Sequence, residues 1–180
     1  MLTQNIIIRD ALEHEQDTIA EVMIESYSQY KDNLTPEQWN GYRNSIYASA
    51  FHGTPYARLV AEIDGQIVGS AQLFRSSIEA YGNPNFNVNL PFLRLIAVLP
   101  ELRGKGIATM LIHEAGKRVL AIGEPTLYLH TSDMMESAIK LYERLGFERS
   151  YETDMINGDN IVVSYKLNLL DLDRLSASPQ

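Results

Sequence analysis

Cysteine is missing from this chain of 180 residues. Its absence rules out disulfides, thiol nucleophiles and zinc–thiolate sites, and it fits a reducing compartment. Long apolar runs are missing too: stretches such as 95–99 fall far short of the ~20 residues that a membrane span needs. Charge arrives at Arg9, Asp10 and Glu13, too early for a secretory leader, so a cytoplasmic protein with no membrane partner is expected. Positive charge is scarce. With 15 Lys+Arg against 23 Asp+Glu the net charge is -8, which disfavours nucleic acid as a partner. An acidic surface suits a cationic substrate and ordinary solubility alike. The 4 histidines are dispersed without H-E-x-x-H spacing, so no metal site is expected. No G-x-S-x-G marks an acyl-enzyme serine, and no G-x-x-x-x-G-K-[ST] marks a nucleoside-triphosphate loop.

What is present suffices for one domain with its own core, since 45% of the residues are hydrophobic. Residues 6–9 read as a strand, and Asp10 with Glu13 resembles a capping box. Ile19, Val22, Met23 and Tyr30 give a helical stripe after it. Thr35-Pro36-Glu37-Gln38 opens a second helix with a cap, a first-turn proline and a closing glutamine. "RLVAEIDGQIVGSAQLF" is a hairpin about Asp64-Gly65, a pair suited to a type I′ turn. The stretch 76–90, with Gly82, Pro84 and several asparagines, reads as a loop. "FLRLIAV" is a strand, a helix starts near Gly104, "TLYLHT" is another strand, and 136–145 is a helix that ends at Gly146. A hairpin about Asn157-Gly158 closes the order. This is a mixed α/β pattern, an antiparallel meander followed by one β-α-β crossover. A single domain at 1–170 is expected, with 171–180 a partly disordered tail.

The stretch "LPELRGKGIATMLI" places Gly104 and Gly106 between Arg103 and Lys105 at the mouth of a helix. A glycine inside a helix costs roughly 1 kcal/mol against alanine. At a helix entrance it has a use: the first-turn N–H groups lack partners and the dipole end is positive, so an anion can settle there. Glycine lets a phosphate approach the backbone, and the two cations add countercharge. A glycine-rich turn without a ligand is the plainer reading of the same residues. A dinucleotide fingerprint fits less well, because Thr109 stands in place of a third glycine and an antiparallel meander precedes the motif. Asp133, at a tolerable distance for a ribose-binding acid, does not exclude it.

Arg103-Gly104-Lys105-Gly106-Ile107-Ala108 fits Q/R-x-x-G-x-G/A at each fixed position, after the strand "LIAVLPEL". "SAIKLYERLGFER", 137–149, resembles a second cofactor-side motif at the expected distance. With both in register, the chain resembles the GNAT N-acetyltransferases along its whole order of elements. The resemblance implies a single-domain GNAT-like fold, a mixed central sheet flanked by helices, with acetyl-CoA as cofactor. It implies pantetheine along the strand edge at Ile96, Ala97 and Val98, and pyrophosphate on the N–H groups of Arg103, Gly104, Lys105, Gly106, Ile107 and Ala108. The reaction implied is acetyl transfer to a primary amine of a small molecule or peptide, by direct attack in a ternary complex. The alternative is a non-catalytic acyl-CoA-binding sensor or interaction module of the same fold. Dimers are common among such enzymes, so a homodimer is compatible with the chain.

Acyl transfer from a thioester needs a neutral amine, help for the oxyanion and a proton for the leaving thiolate. Tyr142 holds the tyrosine position of "LYE-LGF" and is the expected proton donor, although Ala138, Tyr142 and Leu145 also form an ordinary buried helix face. Glu79, His130 or water is the expected base, since Phe92 and Arg94 occupy the stretch where some relatives carry a glutamate. Met135 stands where many relatives have a cofactor-contacting asparagine. For the acceptor, Tyr30, Tyr81 and Arg94 are the candidates, beside Tyr27, Trp39, Asn83, Asn85 and Phe86. Strand alternation puts Phe92, Arg94 and Ile96 on one face, subject to any bulge. Arg94 there pairs with Glu79, faces outward, or grips an anionic group of the acceptor.

Overall fold

The computed structural model describes residues 4–81, 89–157 and 160–172. β1 (Ile6–Asp10) leads into helix α1 (Gln16–Tyr27), a 3-10 turn at Ser28–Asn33, and helix α2 (Pro36–Ser49). At the start of α2 the Thr35 Oγ1 accepts the Gln38 N–H at 3.2 Å, and Gln38 Oε1 accepts the Thr35 N–H at 2.9 Å. This is the predicted capping box. The box predicted at Asp10 does not form. Glu15 instead accepts the Leu12 N–H at 2.7 Å, and the Asp10 carboxylate receives both Arg118 Nη groups at 2.6 and 2.9 Å.

The chain then builds β2 (Ala57–Ile63) and β3 (Gln66–Phe74). Asp64 (φ 50) and Gly65 (φ 80) take left-handed backbone between them, as a type I′ turn requires. A short helix, α3 (Ser77–Tyr81), occupies the beginning of the segment read as a loop, and residues 82–88 lie outside the described part, with Asn83, Asn85 and Phe86 among them. β4 (Phe92–Val98) follows, then helix α4 (Ile107–Ala121), β5 (Thr126–Ser132) and helix α5 (Glu136–Arg144). Gly146, at φ 96, lets the chain leave α5 in the expected place. β6 (Glu148–Arg149), β7 (Met155–Asn157) and β8 (Asn160–Asn168) complete the sheet, the turn between the last two lying outside the described residues.

Strands β1 to β4 are antiparallel neighbours, β4 and β5 are parallel, and β8 pairs antiparallel with β5, β6 and β7. This is the mixed sheet predicted, meander first and crossover second. One core packs α4 and α5 against the sheet through Leu111, Ala115, Val119 and Tyr142; the other packs α1 and α2 through Ile19, Met23 and Ile46. Leu172, 4% exposed, still belongs to the first of these. Gly69 sets the level of α4: a Cβ there would stand 2.9 Å from the Ala97 carbonyl and 3.2 Å from Ile107 Cγ2. Only a glycine lets β3, β4 and the first residue of α4 come this close.

Candidate functional site

β4 and β5 pair only at Phe92–Tyr128 and Leu93–Leu129, and beyond those residues they separate. The separation starts at a bulge. Gln72 faces Arg94 and Ser70 faces Ala97, so one residue of β3 spans two of β4. Leu95, inside the bulge, has φ 55. A leucine in left-handed backbone stores on the order of 1–3 kcal/mol, and bulges commonly re-aim a strand beside a functional site. The alternation shifts there. Leu93 packs in the α4 core, so Phe92 and Arg94 face α1 and α2. Past the bulge Leu95 and Ala97 lie on the α1 side, while Ile96 and Val98 pack on the α4 side. The predicted common face therefore holds for Phe92 and Arg94 and fails for Ile96.

The end of α1 holds the splayed edge. The Tyr27 hydroxyl donates to the Ile96 carbonyl at 3.2 Å, and the Val98 N–H donates to Ser26 Oγ at 3.2 Å. Leu99 N–H turns the other way, to the Val68 carbonyl on β3 at 2.9 Å. Ile96 and Val98 thus present backbone groups to the gap, and Ala97, 1% exposed, is buried between them.

After a 3-10 turn at Pro100–Leu102 the chain passes through Gly104 (φ 76) and Gly106 (φ 78) and enters α4. The first backbone bond of the helix runs from Met110 N–H to the Gly106 carbonyl at 3.0 Å. The N–H groups of 107–109 therefore have no acceptor within the helix. A Cβ on Gly104 would meet nothing within 4 Å. Arg103 donates to the Ser26 carbonyl at 2.8 Å and to Gln29 Oε1 at 2.9 Å, and Lys105 Nζ donates to Gln4 Oε1 at 3.1 Å. Both cations are held by neutral oxygens, which an anion can displace.

These parts border one cleft of about 1090 Å³, just above the usual range for small-molecule sites. Ile96, Val98, Arg103, Gly104, Gly106, Ile107, Ala108, Tyr30 and Tyr142 line it; Ala97 and Lys105 do not. Tyr142 packs against Phe147 and Tyr165, with ring centroids at 6.0 and 6.4 Å, and burial pushes its phenol well above the ordinary tyrosine value. Met135 also lines the cleft, and its Sδ accepts from Thr131 Oγ1 at 3.3 Å. The sequence did not single out Ser26, whose serine oxygens serve both Val98 and Arg103.

On the α1 face of β4 the remaining candidates gather. Arg94 donates to the Ala80 carbonyl at 3.3 Å and lies over the Tyr81 ring at 4.7 Å. The Tyr81 hydroxyl bonds His130 Nδ1 at 3.1 Å, and the His130 ring stands 4.6 Å from that of Phe92. Burial, and after it the Arg94 charge, hold the His130 imidazole down at about 4, so it is neutral at physiological pH. Glu79 is exposed and accepts the Arg75 N–H at 3.1 Å. The predicted pairing of Arg94 with Glu79 does not form, because the Glu79 carboxylate turns to the start of its own helix.

Residues 55–149 match the family model of the acetyltransferase (GNAT) domain. A protein of Pectobacterium atrosepticum, named as an acetyltransferase, is 31% identical over 117 residues, 65% of this chain and 73% of that one. Among solved structures, the PaiA N-acetyltransferase of Thermoplasma acidophilum in complex with coenzyme A superposes with a TM-score of 0.69 at 18% identity, covering 91% of this chain and 99% of that one. YncA of Salmonella typhimurium, solved with acetyl-CoA, gives 0.58 at 17% identity, over 92% and 94% of the two chains. The chain belongs to the GNAT acetyltransferase family.

Proposed function

We propose that this protein is an acetyl-CoA-dependent N-acetyltransferase that acetylates a primary amine of a small molecule or peptide by direct attack in a ternary complex. One observation carries the reading: a single cleft borders the glycine turn, the splayed edge of β4 and Tyr142. The residues suit the cofactor. Unpaired N–H groups of 107–109 and the open space at Gly104 would receive a pyrophosphate, with Arg103 and Lys105 as countercharge. Ile96 and Val98 would pair with pantetheine amides, in exchange for the hydroxyls of Tyr27 and Ser26. Bound acetyl-CoA supplies a thioester carbonyl for attack by the amine.

Tyr142 keeps its proton throughout the physiological range and can donate it from Oη to a leaving thiolate. From an ordinary phenol near 10 to a thiol near 8.5 this is uphill by roughly 2 kcal/mol. Burial raises the phenol further, and the same low-polarity surroundings raise the thiol. His130 is too weak a base for an ammonium, which leaves Glu79, reached through solvent, or water itself. The test is thiol release from acetyl-CoA with a panel of polyamines, amino acids, aminoglycosides and dipeptides, beside calorimetric titration with CoA. Amine-dependent thiol release supports the enzyme. Tight CoA binding with no release from any amine assigns the non-catalytic module instead.

A further inference from the structure

We propose that Arg94 is the anchor for a carboxylate on the acceptor, so that the substrates are amino acids or short peptides and not polyamines. This rests on the acetyl-transfer reading above and names its acceptor class. Three of the four other partly buried arginines, Arg9, Arg118 and Arg149, hold Glu15, Asp10 and Asp154 at 2.7, 2.6 and 2.7 Å, and the fourth, Arg58, donates to the His52 carbonyl at 3.0 Å. Arg94 is as sheltered, in a chain of net charge -8, yet among the described residues no carboxylate stands within 4.0 Å of it. It has one carbonyl, Ala80, and two ring faces, Tyr81 at 4.7 Å and Phe74 at 6.0 Å.

Among the described residues one hydrogen bond uses the five guanidinium donors, and a planar fork of this kind holds a carboxylate through two parallel bonds. The same cluster holds a buried polar atom, His130 Nε2, that has no partner among the described residues. Arg94 does not line the cleft itself; it precedes Leu95 at the bulge, just past the residues where β4 parts from β5. A cation there repels a second ammonium and attracts an anion, while the half-buried Tyr81 ring, 4.7 Å from the guanidinium, gives apolar surface for the rest of the acceptor. An α-amino acid satisfies all three: amine, carboxylate and an apolar body.

The experiment uses glycine, leucine and phenylalanine, each with its carboxamide, as acceptors for the wild-type protein, Arg94→Gln and Arg94→Lys. Amides have more acidic amines and react faster on that ground, but this cancels when the carboxylate-to-amide ratio of kcat/KM is compared between variants. That ratio should fall roughly 10- to 100-fold in Arg94→Gln for at least one pair, the usual range for a lost bond to a charged group. Arg94→Lys should restore it only in part, since an ammonium makes no fork. Equal ratios in all three proteins overturn the proposal. Calorimetric titration of the CoA-loaded protein with N-acetylleucine and N-acetylphenylalanine gives a readout that needs no turnover. Binding that Arg94→Gln abolishes supports the anchor even where no amine releases thiol, an outcome that would sink the acetyl-transfer reading alone. Unchanged melting temperature and CoA affinity in both variants show that the fold is intact.

Discussion

At Gly106 a side chain meets two separate penalties. The backbone there is left-handed, at φ 78, which costs most residues about 1–2 kcal/mol but Asn and Asp less. The second penalty is electrostatic, if the turn receives a pyrophosphate. Gly106→Asn and Gly106→Asp have nearly the same shape and differ in charge, so they separate the two. Asn should weaken CoA binding modestly; Asp should weaken it ~100-fold or more, because like charges at close range cost several kcal/mol. Both should remain folded, with melting temperatures within roughly 8 °C of the parent. Calorimetry that finds CoA bound equally well by the two variants would remove the anion site. Tyr142 is tested by the loss of one oxygen. Tyr142→Phe should lower kcat by roughly 10²- to 10⁴-fold, the range for a lost general acid, with acetyl-CoA affinity little changed. A variant that turns over at the parent rate would make Tyr142 a packing residue.

Among the elements, β4 carries the strain. In an ordinary strand glycine is less stable than alanine by roughly 0.5–1 kcal/mol. At Leu95, with φ 55, the order should reverse: Leu95→Gly should equal or exceed Leu95→Ala by about 1 kcal/mol in urea unfolding. Alanine as the more stable of the two would mean that the bulge is not strained. The same strand marks where sequence reading stops. Asp64-Gly65, Thr35 to Gln38 and Gly146 are legible because each fixes its own backbone through local chemistry. "FLRLIAV" carries no glycine or asparagine to announce a left-handed residue. Its bulge is imposed by pairing with β3, so the face of Ile96 could not be read from alternation. Asp10 escapes for a related reason. A capping partner three residues away is visible in the sequence, whereas Arg118 lies 108 residues on. The glycine turn was legible because its chemistry resides in backbone and residue type. The reach of Arg103 to Ser26 depends on how α1 docks, and no local pattern encodes it.

For the molecule as a whole, the buried histidine sets an acid limit on stability. His130 lies between Phe92 and Tyr81, with Arg94 and Asp154 as the charges that act on it, and its pKa is lowered to about 4. Unfolded, the same imidazole titrates near 6.5. Above 6.5 both states are neutral and the full stability is present. As pH falls below 6.5 the unfolded chain takes up a proton that the folded protein refuses, so stability declines until about 4. Between pH 7 and pH 5 the expected loss is about 2 kcal/mol, at 1.36 kcal/mol per pH unit of difference. Carboxylates that are paired in the fold belong to a lower window. Glu15, held down to about 2 by its hydrogen bond to Arg9, costs stability only below its unfolded value of 4.5. Urea unfolding at pH 7 and pH 5 isolates the histidine. The parent should lose about 2 kcal/mol across that interval, and His130→Gln, whose amide can still hydrogen-bond the Tyr81 hydroxyl, should lose less than half as much. Equal losses in the two proteins would mean that His130 takes up its proton in the folded state, and that the aromatic cluster on the α1 face of β4 admits charge.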